Sequence, residues 1–290
     1  QTTMTWFGRG RFSFHRDYFA IVKTMYDYWK QQTTEAPLYP DIEWSKPEQR
    51  GLAGKLGIIG GNKLGFSGIA ESYSVSLKAG VGEVRVLLPD ALKKSIPPVI
   101  TDAIFGETTP SGSLARGALT EMQAITSWSQ AILLAGDAGR NSETAIVYED
   151  FVRDYIGQLT ITRDAFDLLK NSAQLLAERS DTLLVLSFAQ LQKLFQSVYY
   201  PKMLTFSMQL AQVVEAVHKF TITYPVTIIV FHKDYLIASH DGKVTTTSWQ
   251  NPMSMWRGTV ASYAASYWLW NKNTPLEAVT ASFYIQTKHV

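Results

Sequence analysis

The chain of 290 residues contains no cysteine. This absence excludes disulfides, thiolate metal ligands and a cysteine nucleophile, although it does not fix the cellular compartment. Long apolar runs are also missing. The longest, such as 131–135 and 226–231, have the length of a strand, whereas a membrane-spanning helix needs roughly 20 residues. No signal-peptide pattern is visible, so we expect a cytoplasmic protein with no membrane partner.

An excess of charge of one sign is missing too. The 27 basic and 25 acidic residues leave a net charge of +2, and no basic stripe stands out, so we expect no nucleic-acid partner. The five histidines lack metal-ligand spacing, and we predict no metal site. With 46% apolar and 18% charged residues, the composition is typical of globular proteins and predicts one large domain or two small ones.

Residues 1–50 stand apart because they are rich in aromatic side chains. The spacing of apolar residues predicts a helix over 18–29, and Pro37, Pro40 and Pro47 are expected to interrupt regular structure after it. We predict an N-terminal arm at 1–50 that packs on a domain at 51–290. The alternative is that the arm covers a neighbouring subunit or a partner protein, since aromatic residues anchor interfaces.

From residue 54 onwards, predicted strands alternate with predicted helices. This alternation is typical of βαβ units and predicts a mainly parallel sheet, in which ligands bind outside the carboxyl ends of the strands. The predicted strands are 55–59, 84–88, 131–135, 158–162, 182–186 and 226–231, with a hairpin at 235–239 and 243–247. The predicted helices are 67–77, 142–155, 189–197, 203–218 and 260–270.

A series of glycine-containing motifs indicates a family. The segment 54–89 carries Gly60-Gly61-Asn62, then Phe66-Ser67-Gly68, then AGVGEVRV at 79–86. It resembles the opening of the ATP/ADP-dependent NAD(P)H-hydrate dehydratase family. Segments 133–144, 161–169, 239–244 and 273–282 resemble later elements of that family in the same order. The resemblance covers about residues 54–285 and leaves 1–50 unexplained.

The resemblance implies a ribokinase-like fold, a three-layer α/β/α architecture with a mainly parallel sheet. It implies ATP or ADP and NAD(P)H as ligands, and self-association into a homo-oligomer. Ligand-binding positions carried over from the family or placed beside its loops are Gly60, Asn62, Gly136, Asp137, Gly139, Arg140, Asp164, Arg257 and Gly258.

The motif that should carry the chemistry departs from the family pattern. Family members use a Gly-Ser/Thr-Gly-Asp motif as a phosphate cradle and as the acid for proton transfer. Here 251–259 reads NPMSMWRGT, with Gly258 where the aspartate is expected, and no acidic residue occurs between Asp241 and Glu277.

Further family positions are changed as well. Ser187 and Gln190 replace a histidine and a glutamate, Phe231 replaces a lysine, and Thr162 replaces an aspartate. We therefore predict a degenerate, non-catalytic homologue that has no catalytic residues and keeps the fold for binding or assembly. The alternatives are an active dehydratase or small-molecule kinase with a rebuilt site, using Asp137, Asp164 and Arg257, and a nucleotide or dinucleotide sensor without turnover.

Several polar residues have two interpretations. Asp137 and Arg140 either contact a ligand or belong to a loop in which Asn141 or Ser142 caps the next helix. For Asp164 a helix cap is favoured over a ligand contact, and for Arg257 a surface position is favoured over a phosphate contact. His232 is interpreted as a solvated loop residue.

The late helix is rich in aromatic residues at Tyr263, Tyr267, Trp268 and Trp270. We expect these rings either to pack in the core, to contact another subunit or partner, or to fill the former nucleotide site. Phe231 or Trp256 in the cleft would favour the inactive protein.

Overall fold

The computed structural model describes residues 27–288, in which ten strands form one sheet. In chain order the strands are β1 (Trp29–Gln32), β2 (Lys55–Gly60), β3 (Glu83–Pro89), β4 (Ala103–Gly106), β5 (Ala131–Gly136), β6 (Gln158–Thr162), β7 (Thr182–Ser187), β8 (Thr227–His232), β9 (Tyr235–His240) and β10 (Lys243–Ser248). Across the sheet their order is β1-β10-β9-β8-β7-β6-β5-β2-β3-β4. Only β9 runs antiparallel to its neighbours among these strands.

Helices cover both faces of the sheet, as its buried apolar strands require. They are α1 (Ser67–Ala79), α2 (Leu119–Trp128), α3 (Ser142–Asp154), α4 (Asp164–Leu168), α5 (Ala173–Glu178), α6 (Phe188–Ser197), α7 (Leu210–Thr223), α8 (Met253–Arg257), α9 (Thr259–Trp270) and α10 (Pro275–Lys288). One hydrophobic core lies between the sheet and α2–α7, and the other between the sheet and α1 with α8–α10. The predicted three-layer α/β/α architecture is confirmed. Across residues 27–288, none of the helices is long and apolar enough to cross a bilayer.

The predicted hairpin is confirmed, with β9 and β10 joined at Asp241-Gly242. Both turn residues have positive φ, 46° and 70°, as in the tight turns that suit the twist of a hairpin. Strands β1 and β4 and helices α2, α5 and α8 were not predicted. The helix predicted over 203–218 is wrong at its start, because α7 begins at Leu210, where Gln209 and Gln212 form a capping box.

The helix predicted over 18–29 is wrong at its end, because Trp29 begins β1; residues 18–26 lie outside the described residues. Hydrogen bonds hold β1 in the sheet. The buried Gln32 Nε2 donates to Thr247 Oγ1 at 3.1 Å and to the Thr280 carbonyl at 2.9 Å. Residues 29–32 of the predicted arm are thus an edge strand of the sheet, while the division of the chain at residue 50 stays a prediction.

The prediction that prolines interrupt regular structure after residue 29 is wrong at Pro40. A short 3-10 helix spans Pro40–Ser45, with proline at its first position. Proline is tolerated there because the first N–H groups of a helix have no partner within the helix.

The aromatic rings of α9 belong to the core. Tyr263, Tyr267 and Trp268 are buried where α9 packs against α1 and α10. Trp270 is half-buried and donates its indole N–H to the Ala53 carbonyl at 2.9 Å. The alternative that these rings form a surface for another subunit or partner is therefore wrong for the three buried rings, which already pack within this chain.

Candidate functional site

Two of the cavities at the carboxyl ends of the strands lie beside loops of the predicted site. A polar cavity of about 570 Å³ lies by the loops after β2, β5 and β6, and an apolar cavity of about 330 Å³ lies by the ends of β6, β7 and β8. The loop after β6 borders both, because Arg163 lines the apolar cavity and Asp164 lines the polar one. The binding edge expected for a parallel sheet is thus divided into two chemically different parts.

Gly60 and Gly136 allow β2 and β5 to approach closely at this edge. A Cβ at Gly60 would lie 2.3 Å from the Gly136 carbonyl oxygen. Gly136 has φ of +83°, and a Cβ there would lie 2.5 Å from Asp164 Oδ1. Both predicted glycines are therefore required by the backbone beneath the polar cavity.

Asp137 is bound by groups of the protein itself. Its carboxylate pairs with the Arg163 guanidinium, and its Oδ2 accepts the Gly68 backbone N–H at 2.6 Å. Gly68 lies in the first turn of α1, so Asp137 occupies the position that a helix N-terminus offers to an anion. As predicted, Asn141 caps α3, with Oδ1 accepting the N–H groups of Glu143 and Thr144 at 2.8 and 3.3 Å.

Asp164 is not the helix cap that was favoured, because no side chain caps α4. Its Oδ2 instead accepts the Gly139 N–H at 3.1 Å, while its Oδ1 is buried without a hydrogen-bond partner among the described residues. Burial is the main cause that raises the pKa of Asp164, and the Asp137 charge adds to it. The Arg163 charge and the backbone N–H groups of Gly139 and Asp137 act in the opposite direction.

Two more buried polar groups near this carboxylate lack partners. Within residues 27–288, Tyr148 Oη and Arg163 Nη1 make no hydrogen bond. Burial raises the pKa of Tyr148, and the negative charge of Asp164 raises it further. Arg163 also has a φ of 57° and ψ of −139°, a conformation that side-chain-bearing residues rarely adopt. Unsatisfied groups and backbone strain therefore occur together next to the polar cavity.

The polar cavity brings together Asn62, Asp137, Gly139, Arg140 and Asp164 of the predicted positions. The Asn62 side chain is already engaged. Its Nδ2 donates to Ser113 Oγ at 2.7 Å and to the Ser111 carbonyl at 3.2 Å, and its Oδ1 accepts the Leu64 N–H at 2.9 Å. Arg140 is exposed and lines this cavity as its one cation among the described residues.

Neither cavity is lined by Arg257 or Gly258. Arg257 is exposed on α8, as the favoured interpretation held, and Gly258 links α8 to α9. Gly258 has φ of +87°, and a Cβ there would lie 3.0 Å from Ser72 Oγ on α1. Its role in the structure is a tight helix junction, and its prediction as a ligand-binding residue is not supported by this placement.

Helix α8 occupies the segment where the resemblance expects a glycine-rich loop. Its Met255 and Trp256 line the apolar cavity together with Phe231 from the end of β8. Trp256 and Phe231 are the two aromatic residues whose presence in the cleft was expected of an inactive protein.

Three residues that replace polar residues of the family make hydrogen bonds within the protein: Ser187, Gln190 and Thr162. Ser187 and Gln190 form a capping box at the start of α6, with N···O distances of 3.2 and 3.0 Å. The Gln190 Nε2 also donates to the Arg163 carbonyl at 2.7 Å, which helps to hold the strained residue. Thr162 Oγ1 donates to the Val185 carbonyl at 3.2 Å.

His232 is not the solvated loop histidine that was expected. It is the buried last residue of β8, and its Nε2 donates to the Met208 carbonyl at 2.9 Å. Its ring lies 4.5 Å from that of Phe188. Sequence reasoning also missed Arg163, Tyr148, Phe188 and Phe206. The position of Arg163 directly after a predicted strand was the one available signal.

Comparisons with known proteins agree with this architecture. No protein-family model matches the sequence, and no curated protein matches it. The structure is similar to the crystal structure of a ribokinase-like superfamily protein from Enterococcus faecalis V583, with a TM-score of 0.70 and 12% identity over 90% of this chain and 87% of that one. This chain has the ribokinase-like fold.

Other solved structures share this ribokinase-like fold. A hypothetical protein from Streptococcus mutans has a TM-score of 0.67 and 14% identity over 85% of this chain and 86% of that one. The ADP/ATP-dependent NAD(P)H-hydrate dehydratase from Bacillus subtilis, co-crystallised with ATP/Mg²⁺, has a TM-score of 0.57 and 12% identity over 84% of both chains. At these identities the similarity establishes the fold.

Proposed function

We propose that the protein is a non-catalytic relative of the NAD(P)H-hydrate dehydratases that keeps the carboxyl edge of its sheet as a binding site. The observation that carries the proposal is helix α8, which stands where the resemblance expects the phosphate cradle and the acid. Met255 and Trp256 of this helix, together with Phe231, give that part of the edge an apolar surface.

The similarity to a dehydratase crystallised with ATP/Mg²⁺ makes a nucleotide the first ligand to consider. Phosphates need free backbone N–H groups at a helix start or unpaired cations. Here Asp137 already binds the N–H of Gly68 and the guanidinium of Arg163. Lys233, the other cation that lines the apolar cavity, is exposed and reaches Gln209 Oε1 at 3.4 Å. Lys233 and, in the polar cavity, Arg140 are the exposed cations left for a phosphate among the described residues, and no glycine-rich cradle accompanies either of them there, so the site fits a nucleoside triphosphate poorly.

An acid for proton transfer is also missing from the apolar cavity. None of the described residues that line it is acidic, and Asp164 lines the polar cavity instead. Loss of a general acid or base removes typically 10²–10⁴-fold of rate. Without a phosphate cradle as well, turnover by the family chemistry is expected to be negligible.

One observation favours the second candidate, an active nucleotide-dependent dehydratase or kinase with a rebuilt site. Asp164 has a raised pKa and lines a cavity that also holds Arg140. A perturbed carboxyl in a cleft is typical of an acid–base catalyst. This candidate requires Asp164 as its catalytic acid or base. A nucleotide sensor without turnover requires only that a nucleotide binds.

Thermal unfolding with ATP, ADP, NADH and NADPH tests the proposal and both alternatives. A ligand that binds only the folded chain raises Tm. We expect no rise beyond that seen with salt of the same ionic strength. A rise with ATP or NADPH that disappears in Asp164→Ala, but persists in the exposed control Glu35→Ala, would support a nucleotide site at the polar cavity and contradict the proposal.

Self-association and a cytoplasmic location are part of the same proposal. They derive from the family resemblance and from the sequence composition. Sedimentation velocity of the full chain tests the first, and a species of monomer mass at all concentrations would contradict it.

A further inference from the structure

The apolar cavity has the shape and chemistry of a specific small-molecule site. We propose that it binds an uncharged, planar aromatic compound of two or three fused or linked rings. The inference rests on the proposed function, because it assigns a ligand class to an edge that no longer performs the family chemistry.

The size of the cavity suits a small ligand. Its volume of about 330 Å³ lies at the lower end of the range for ligand sites, about 300–1,000 Å³. Its walls are formed by the ends of strands, by α6, by the segment that precedes α7, and by α8. Their apolar side chains are Val185, Phe188, Ala189, Phe206, Phe231, Met255 and Trp256.

Aromatic rings dominate these walls and remain open to a ligand. Phe188 lies 4.9 Å from Phe206, with their planes tilted by 48°. Within residues 27–288 no aromatic ring stacks on Trp256 or on Phe231. Trp256 is 55% exposed and Phe206 63% exposed, although both line the cavity. Exposed rings around a cavity favour a ligand that offers a flat apolar face.

Apart from Arg163 Nη1, which has no partner among the described residues, the polar side chains around the cavity are already hydrogen-bonded within the protein. Ser187 and Gln190 bond to each other in the capping box, and His232 Nε2 bonds to the Met208 carbonyl. Thr162 Oγ1 bonds to a neighbouring strand carbonyl. A ligand with many donors and acceptors would lose its bonds to water here without replacement, which costs free energy.

The cations of the lining do not favour an anionic ligand among the aromatic rings. Arg163 is paired with Asp137, and Lys233 is exposed to solvent and lies 3.4 Å from Gln209 Oε1. A carboxylate or phosphate placed among the rings, away from Lys233, would be desolvated without a counter-ion. An uncharged ring system avoids that cost.

The test uses the full chain and N-phenyl-1-naphthylamine, an uncharged aromatic dye that fluoresces in apolar surroundings. We expect a saturable titration with one site per chain. Trp256→Ala and Phe231→Lys should each weaken dye affinity at least 5-fold. The matched control is Trp44→Ala, which removes a tryptophan that is 88% exposed and does not line the cavity. It should leave the affinity unchanged.

Competition defines the ligand class. Indole, which is uncharged, planar and has a single donor, should displace the dye, and ATP should not. Trp256 is half-exposed, so its variant is expected to fold even if Phe231→Lys does not, and circular dichroism of each variant checks this. Absence of saturable dye binding, equal loss in Trp44→Ala and Trp256→Ala, or displacement by ATP as effective as by indole would each overturn the inference. Turnover of hydrated NADH would instead overturn the proposed function and leave dye binding unaffected.

Discussion

Gly136→Ala is expected to destabilise the chain through strain at a positive φ and through close contacts with Asp164 and Arg163. Gly136 has φ of +83°, a left-handed conformation that costs a residue with a Cβ roughly 1–2 kcal/mol. The added Cβ would also lie 2.5 Å from Asp164 Oδ1, so the carboxylate must move away from the Gly139 N–H that it accepts. A hydrogen bond to a charged group contributes about 1.5–3 kcal/mol. The free energy of unfolding should therefore fall by roughly 2.5–5 kcal/mol.

A double-mutant cycle measured by urea denaturation separates the two causes. In an Asp164→Ala background, Gly136→Ala should cost the conformational part, about 1–2 kcal/mol, and keep only the close contact of its Cβ with Arg163 Cβ at 2.9 Å. The coupling between the two sites should then be about 1.5–3 kcal/mol. Gly51→Ala is the matched control, because nothing lies within 4 Å of a Cβ there and its φ is not positive. A loss in Gly136→Ala no larger than in Gly51→Ala, or strictly additive effects with Asp164→Ala, would refute this reasoning.

Three further substitutions test buried polar groups. Because burial raises the pKa of Asp164 above 3.8, the folded state binds its proton more tightly, and this contribution to stability falls as pH rises from 3.8 through the raised pKa. Asp164→Asn should flatten that slope in urea denaturation at a series of pH values, and an unchanged slope would contradict it. Tyr148→Phe removes a buried hydroxyl without a partner among the described residues, so it should stabilise the chain by roughly 1–3 kcal/mol in the same assay. Destabilisation would show that the hydroxyl is bonded. Gln32→Ala removes the side-chain donor that the Thr280 carbonyl and Thr247 Oγ1 share and should cost about 1–3 kcal/mol, with faster hydrogen exchange in β10; unchanged exchange would show that β1 is not held there.

Most of the central fold could be predicted because its strands are short segments rich in apolar and β-branched residues. Residues 131–135 and 158–162 match β5 and β6 to within one residue. The turn at Asp241-Gly242 could be predicted because aspartate followed by glycine favours the positive φ angles that such a turn needs. These local signals agree with the tertiary structure, so sequence reasoning succeeds there.

Strands at the edges of the sheet were missed because tertiary contacts decide them. Residues 29–32 read WKQQ, with little apolar alternation. They form β1 because Gln32 finds partners more than 200 positions away in the sequence, at Thr247 and Thr280. No local pattern contains that information.

The candidate site was predicted in position but not in chemistry. The glycine loops led to the correct sheet edge, since the close approach of Gly60 to Gly136 needs glycine for any function. The pairing of Asp137 with Arg163, and the burial of His232, depend on distances between separate loops. The spacing of residues along the chain does not reveal such distances.

The most direct test of the account is turnover of hydrated NADH by the full chain in the presence of Mg²⁺ and ATP or ADP, with enzyme in excess over substrate. The rate should equal that of the reaction without protein, while an active NAD(P)H-hydrate dehydratase under the same conditions consumes the substrate. Nucleotide-dependent consumption by this chain that is abolished in Asp164→Ala would contradict the non-catalytic assignment and establish a rebuilt active site.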